Sequence, residues 1–293
     1  MSALGSSELI LNPDGSIYHL NLLPEDLAPS IITVGDPDRV PEVSKYFDSI
    51  ELKKGKREFL THTGYLGRKR ISIISTGIGT DNIDIVLNEL DALVNFDFSS
   101  RSPKDEKIQL SIIRIGTSGS IQAHVPVDSF LLGQSALGLD GLLHFYDALA
   151  QRNTALERAF EAHMEPSGLP FSPYAVDCDG NLSKVFRSER MYSGITVTSP
   201  GFYGPQGRGL RLVPFRIDLA KLNSFSFNGM PLCNLEMETS GIYGLAKLLG
   251  HRAVSLNAIL ANRIKGEFSM DAPKTVQALI EYTLECLSRD QRV

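Results

Sequence analysis

Short runs of Ile, Val and Leu, each closing on glycine or a polar residue, recur along the chain and constrain its fold more than any other feature. They read "IITVGDPDR", "RISIISTGIG", "LSIIRIGTSG", "SFLLGQSAL", "GITVTSPGF", "PLCNLEME" and "RAVSLNAILANR". Most do not alternate apolar with polar residues, which is the pattern of strands buried on both faces. Helical periodicities lie between them. In "TDNIDIVLNELDALVNF", Ile83, Val86, Leu87, Leu90, Leu93 and Val94 follow i, i+3, i+4, i+7 spacing, with Thr80 or Asp81 as N-cap. "TSGIYGLAKLLG" sets Ile242, Leu245, Ala246 and Leu249 on one face and stops at Gly250. "APKTVQALIEYTLECLSR" has Pro273 near a first helical turn and reads as a closing helix. Strands alternating with helices imply an α/β layered domain, in which ligands collect beyond the carboxyl ends of strands.

The 293 residues suit one large domain or two modest ones, and nothing divides them. The charged stretch "NFDFSSRSPKDEKIQ" (residues 95–109) reads as a surface insertion and "EPSGLPFSPYAVDCDGN" as a second loop. Both interrupt a single domain over residues 1–293. A net charge of -5 and short Lys/Arg clusters argue against nucleic acid as a partner. Cys178, Cys233 and Cys286 are far apart and lack C-x-x-C spacing, so neither disulfides nor zinc are expected. No basic-then-apolar leader opens the sequence, and no apolar run reaches the roughly 20 residues of a membrane span. The expected compartment is the cytoplasm, with no membrane partner.

The strand ends are chemically one-sided. "GDPDR" offers Gly35, whose N–H a ligand can approach, and then Arg39. "RIGTSG" places Arg114 inside an Ile-rich run, followed by Gly116, Thr117, Ser118 and Gly119. Guanidinium forks, a hydroxyl and backbone N–H groups are what a phosphate requires. The alternatives are that Arg39 caps a helix and Arg114 pairs with a core carboxylate. "NLEMETSG" supplies Glu236 and Glu238 around Met237. One carboxylate could clamp ribose hydroxyls beside the thioether, or both could be acids favoured at a helix N-terminus. "GFYGPQGRG" carries Phe202, Gln206 and Arg208 on a Gly/Pro-rich stretch. Phe can stack on a planar ring, Gln can pair with an O=C–N–H edge, and Arg can donate to a carbonyl. In an extended loop, alternate spacing puts the Gln206 and Arg208 tips on one side. Gly77 and Gly79 of "STGIGTDN" read as easing strand–helix packing, not as a dinucleotide site.

Taken in order, "TVGDPDRV", "KREF", "STGIG", "IIRIGTSGSI", "FYGPQGR" and "NLEMETSG" resemble the nucleoside phosphorylase type I superfamily, from about His19 to Arg263. The loop with Gln206 and Arg208 is similar to that of its uridine phosphorylases. The resemblance implies a single-domain three-layer α/β/α fold of the phosphorylase/hydrolase type with a mixed central sheet. It implies phosphate binding by Gly35, Arg39, Arg114 and Thr117, with Arg57 of "GKREF" completing the site from a neighbouring subunit. His19 would cross the same interface to the ribose 5'-hydroxyl. Met237 and Glu238 would hold the ribose, and Phe202, Gln206, Arg208 and Arg263 the uracil. By the same resemblance Arg114, Gln206, Arg208 and Glu238 would form the catalytic set.

The implied reaction is reversible phosphorolysis of uridine to uracil and ribose 1-phosphate in pyrimidine salvage, with deoxyuridine left open as a second substrate. Purine enzymes of the superfamily carry an aspartate after the late strand to protonate the base, and nucleosidases share that acid but lack the arginine-rich site. Here "LANRIK" has Asn262 and Arg263 instead. Purine phosphorolysis or nucleoside hydrolysis is the rival reading. Relatives hold a monovalent cation near the positions of Glu58, Ile78 and Asn82, often with serine where this chain has Asn82, so potassium is the cation to consider there. No other cofactor or metal is expected. If Arg57 and His19 cross over, the protein is at least a homodimer, with residues 1–25 contributing to the interface, and the family also forms hexamers.

Overall fold

The computed structural model describes residues 3–165, 171–214 and 218–290. Its first half runs β1 (Ser30–Val34), α1 (Arg39–Ser44), β2 (Ser49–Lys56), β3 (Phe59–Leu66), β4 (Lys69–Ser75) and α2 (Thr80–Asn95). A short hairpin follows, β5 (Phe96–Asp97) with β6 (Ser102–Pro103), and then β7 (Ser111–Ser120) and β8 (Phe130–Gly138). The second half comprises α3 (Thr154–Met164), β9 (Tyr174–Asp177), α4 (Gly180–Phe186), β10 (Met191–Thr198) and α5 (Leu219–Ser224). It closes with β11 (Ser226–Phe227), β12 (Met230–Glu236), α6 (Thr239–Leu248), β13 (Arg252–Asn262), β14 (Glu267–Phe268) and α7 (Ala272–Arg289).

All strands except β5 and β6 join one mixed sheet of twelve, ordered β11-β12-β10-β8-β13-β7-β1-β4-β3-β2, with β9 on β8 and β14 on β13. The centre is parallel: β1 pairs with β4 and β7, and β13 with β7. The sheet also curls back on itself. β12 pairs antiparallel with β7 at Asn234–Ser120 and Leu235–Gly119, closing β7, β13, β8, β10 and β12 into a ring.

Helices cover both faces. Ile31 and Ile112 pack with Ile83, Val86, Leu87 and Leu90 of α2 and Ile242 of α6. The next residue in each strand, Ile32 and Ile113, packs with Val276, Leu279 and Ile280 of α7 on the other side. Neighbouring strand residues face opposite layers, so strands covered on both faces must be apolar throughout. Layers of helix, sheet and helix form the α/β/α domain.

Three sequence expectations change. The residue capping α2 is Gly79, at φ 97°, in place of Thr80 or Asp81. The second expected loop contains β9 and the start of α4, because Tyr174–Asp177 pair antiparallel with β8 and Asp179 caps the helix; residues 166–170 of that stretch lie outside the described residues. The 95–109 segment holds the β5–β6 hairpin, with Phe96 and Phe98 packed on the core. The Pro273 helix start is as read, with Asp271 accepting from Lys274 N–H as its cap.

Candidate active site

The carboxyl ends of β7, β12 and β13 and the N-termini of α2 and α6 surround a cavity of about 900 Å³. Arg114 sits at its base. In the parallel register Thr33, Arg114 and Ser255 lie abreast, and Asn257 lies beside Gly116. All of these share the face that looks toward α2 and α6, since alternate residues of a strand point the same way. The Arg114 side chain runs over Gly116, where a Cβ would stand 1.8 Å from Nη1. Glycine at 116 is therefore a steric requirement of the arginine two residues earlier.

Arg114 is 6% exposed, and both of its terminal nitrogens are engaged. Nη2 meets Glu238 Oε2 at 2.5 Å and Glu236 Oε2 at 3.2 Å, and Nη1 donates to Asn257 Oδ1 at 3.0 Å. Burial alone would lower the Arg114 pKa, but Glu236 and Glu238 outweigh it and hold the group above its ordinary value. Both alternatives for "EMET" have content. Glu236 ends β12 and accepts from Glu238 N–H, from Thr239 N–H and from Thr198 Oγ1, so it caps α6. Burial pushes the Glu236 pKa up against the pull of Arg114, and the Glu238 charge adds to the rise. Glu238 turns into the cavity next to half-buried Met237 and also accepts from Gly79 N–H at 2.8 Å.

Arg39 is the first residue of α1, and its guanidinium reaches across to the Ile115 carbonyl at 3.4 Å. Burial and the nearby Arg114 charge both lower its pKa. Gly35 and Thr117 complete this end. Half-buried Arg39 and buried Arg114 face the buried carboxylates of Glu236 and Glu238 here, so these four side chains carry no excess positive charge for an anion.

Further along β7, Gly119 borders Arg208 and Arg263. Gly116 and Gly119 are separated by about 10 Å of strand. Phe202, Gln206, Arg208 and Arg263 line this part of the cavity. The expected extended loop is instead a tight turn, Gly204–Gln206, followed by Gly207 in the left-handed region. The turn, not strand alternation, brings the tips together: Arg208 donates to the Gln206 side-chain oxygen and to the Phe202 carbonyl. Arg208 also stacks 3.9 Å above the Phe202 ring centre, and Arg263 donates to the Gln206 carbonyl at 3.1 Å. Gln206 is 2% exposed while Phe202 is half exposed. Burial and the Arg263 charge bring the Arg208 pKa down to about 10.

Arg57 and His19 do not line the cavity. Arg57 occupies the exposed β2–β3 turn at φ 57°, 5.8 Å from the Tyr18 ring centre. His19 adjoins the same tyrosine, with its Nδ1 2.6 Å from Glu89 Oε1. Glu58, Ile78 and Asn82 do reach the cavity wall. Asn82 turns its amide nitrogen to Glu58 at 3.4 Å.

The sequence profile of the Phosphorylase superfamily matches residues 29–288. The chain belongs to this superfamily. The curated uridine phosphorylase of Thermococcus kodakarensis is 27% identical over 288 residues, 97% of this chain and 91% of that protein. A DeoD-type purine nucleoside phosphorylase of Listeria welshimeri is 25% identical over 85% of this chain and 88% of its own length. A Trypanosoma brucei nucleoside phosphorylase, whose crystal structure is described with uridine phosphorylase activity, superposes with a TM-score of 0.86 at 29% identity. That alignment covers 96% of this chain and all of the other.

Sequence reading passed over Leu260 and Phe268 in the cavity wall and Asn257 beside Arg114. Asn257 had one legible signal, an amide inside an apolar run. Phe268 had none, because it reaches the wall through the two-residue strand β14 pairing with the end of β13. Asn262 proves to be a fastener: it donates to the Gln122 and Val125 carbonyls and accepts from Ile264 and Lys265 N–H.

Proposed function

We propose that this chain catalyses the reversible phosphorolysis of uridine to uracil and ribose 1-phosphate. The observation that carries the pyrimidine assignment is buried Gln206 on the cavity wall, its side-chain oxygen accepting from Arg208 and its main-chain carbonyl from Arg263. An amide beside a guanidinium matches the imide edge of uracil, and a base unable to pair with both leaves them unsatisfied, which discriminates strongly. No acid stands at 262 to protonate a purine, and the Asn262 amide is consumed by the loop that it ties.

In the reaction a phosphate oxygen forms a bond to C1' as the C1'–N1 bond breaks. The electron pair leaves with uracil, spread over its ring and carbonyl oxygens. Arg208 and Gln206 hold that charge, and a solvent proton completes the base after release. Arg39 and Arg114 orient the phosphate against the cationic sugar carbon. Glu238, on the same wall as Met237, accepts from ribose hydroxyls. Because Glu236 and Glu238 already balance Arg39 and Arg114, the phosphate needs another cation. Arg57 of a second copy supplies it in this reading, with His19 beside it for the ribose 5' end, which makes the active form at least a homodimer.

Base release from uridine and from inosine, each with and without phosphate, tests the assignment. Release from uridine that requires phosphate is expected. Release from inosine alone, as in the purine relatives, or release indifferent to phosphate, would reject it.

A further inference from the structure

We propose that Asn257 is a positioning residue that sets the plane in which Arg114 meets the attacking phosphate; this rests on the phosphorolysis reading above. Asn257 is fully buried on β13, beside Gly116 in register, and thus alongside the path of the Arg114 side chain. Its Oδ1 takes the Nη1 hydrogen at 3.0 Å. Its own amide is oriented from behind, with Nδ2 3.4 Å from Ser255 Oγ, and that hydroxyl bonds Thr239 Oγ1 at 2.9 Å. Thr239 opens α6, so the chain of contacts runs from the start of the helix that Glu238 precedes back to the guanidinium.

The pull on Arg114 is otherwise one-sided. Nη2 faces Glu236 and Glu238, both on the α6 side, whereas among the described residues Nη1 has Asn257 and, at 3.5 Å, the Ser255 hydroxyl. A guanidinium is planar and offers its hydrogens in fixed directions, so holding one nitrogen on each side fixes the plane. With Oδ1 gone, the two carboxylates draw the fork toward α6 and a buried N–H loses its acceptor. A phosphate then competes with Glu236 and Glu238 for a guanidinium turned the wrong way.

Steady-state kinetics of full-length Asn257→Leu and Asn257→Ser test this, with phosphate varied at saturating uridine and uridine varied at saturating phosphate. Circular dichroism and Tm establish which variants are folded. The Leu variant should raise the phosphate KM about tenfold, which is about 1.4 kcal/mol, while the uridine KM stays within about twofold. The Ser variant keeps a hydroxyl but withdraws the amide oxygen, and should show a smaller rise in the same parameter. It decides the matter if the Leu variant does not fold. A folded variant with an unchanged phosphate KM, including one with lowered kcat only, overturns the positioning role. Arg39→Ala is measured alongside. If its phosphate KM rises and those of the Asn257 variants do not, only the role of Asn257 fails; if its phosphate KM is also unchanged, the phosphate reading of the cavity fails.

Discussion

Arg114 shows what one residue demands of its surroundings. A guanidinium in a strand buried on both faces needs an acceptor for each hydrogen it turns inward, and the fold provides two carboxylates and an amide. It also needs clearance, which Gly116 gives. Gly116→Ala should therefore push the flexible guanidinium aside more than it moves the backbone. We expect kcat/KM for phosphate to fall about 100-fold, equivalent to about 2.7 kcal/mol, with Tm lowered by only a few degrees. Phosphate saturation kinetics with a thermal melt check this, and wild-type phosphate kinetics would contradict it. At this scale the sequence was legible where chemistry interrupts a pattern: Arg39, Arg114, Gln206 and Glu238 stand at or near the ends of apolar runs. Asn257 interrupts a run as well, but an amide inside a strand has many uses, and only the register beside Gly116 reveals this one.

Elements in this molecule serve the fold and the site together. Helix α6 begins where β12 ends, and the carboxylate that satisfies its first N–H groups, Glu236, also neutralises Arg114. Helix α7 starts with an ordinary cap, Asp271, which is not part of the cavity wall. The two caps should differ in weight. Asp271→Ala should cost about 1 kcal/mol, as a lost N-cap does. Glu236→Ala should cost about 3 kcal/mol, because it also strips a buried partner from Arg114. Urea unfolding of both variants measures the difference, and equal losses would contradict the double role. The long elements were readable because their periodicities extend over ten residues or more. Strand β9 was not, since four residues within a Pro/Gly-rich stretch become a strand only through pairing with β8. The Gly79 cap was hidden for a related reason: its positive φ is set by the turn that delivers its N–H to Glu238, and glycine alone does not announce which freedom it uses.

Across the whole molecule, the sheet gathers strand ends from distant parts of the sequence into one cavity, and charge decides what that cavity lacks. Arg39 and Arg114 are matched by Glu236 and Glu238, while Arg57 stands on an exposed turn away from the wall. If the partner subunit supplies the missing cation, Arg39→Ala and Arg57→Ala should each be severely impaired at low phosphate, yet a refolded equal mixture should recover about a quarter of wild-type activity. Half of the dimers are then mixed, and each mixed dimer has one intact site. No recovery would place Arg57 outside the reaction. A layered α/β architecture was legible from strand–helix alternation, but the curl that joins β12 to β7 was not, because no local pattern encodes the closure of a sheet.

The most direct test of the central claim is the identity of the sugar product when uridine is turned over in labelled phosphate. One labelled ribose 1-phosphate for each uracil released is predicted, because phosphate held by Arg39 and Arg114 makes the new bond to C1'. Free ribose in equal amount to uracil would mean that water attacks instead, and would contradict the account.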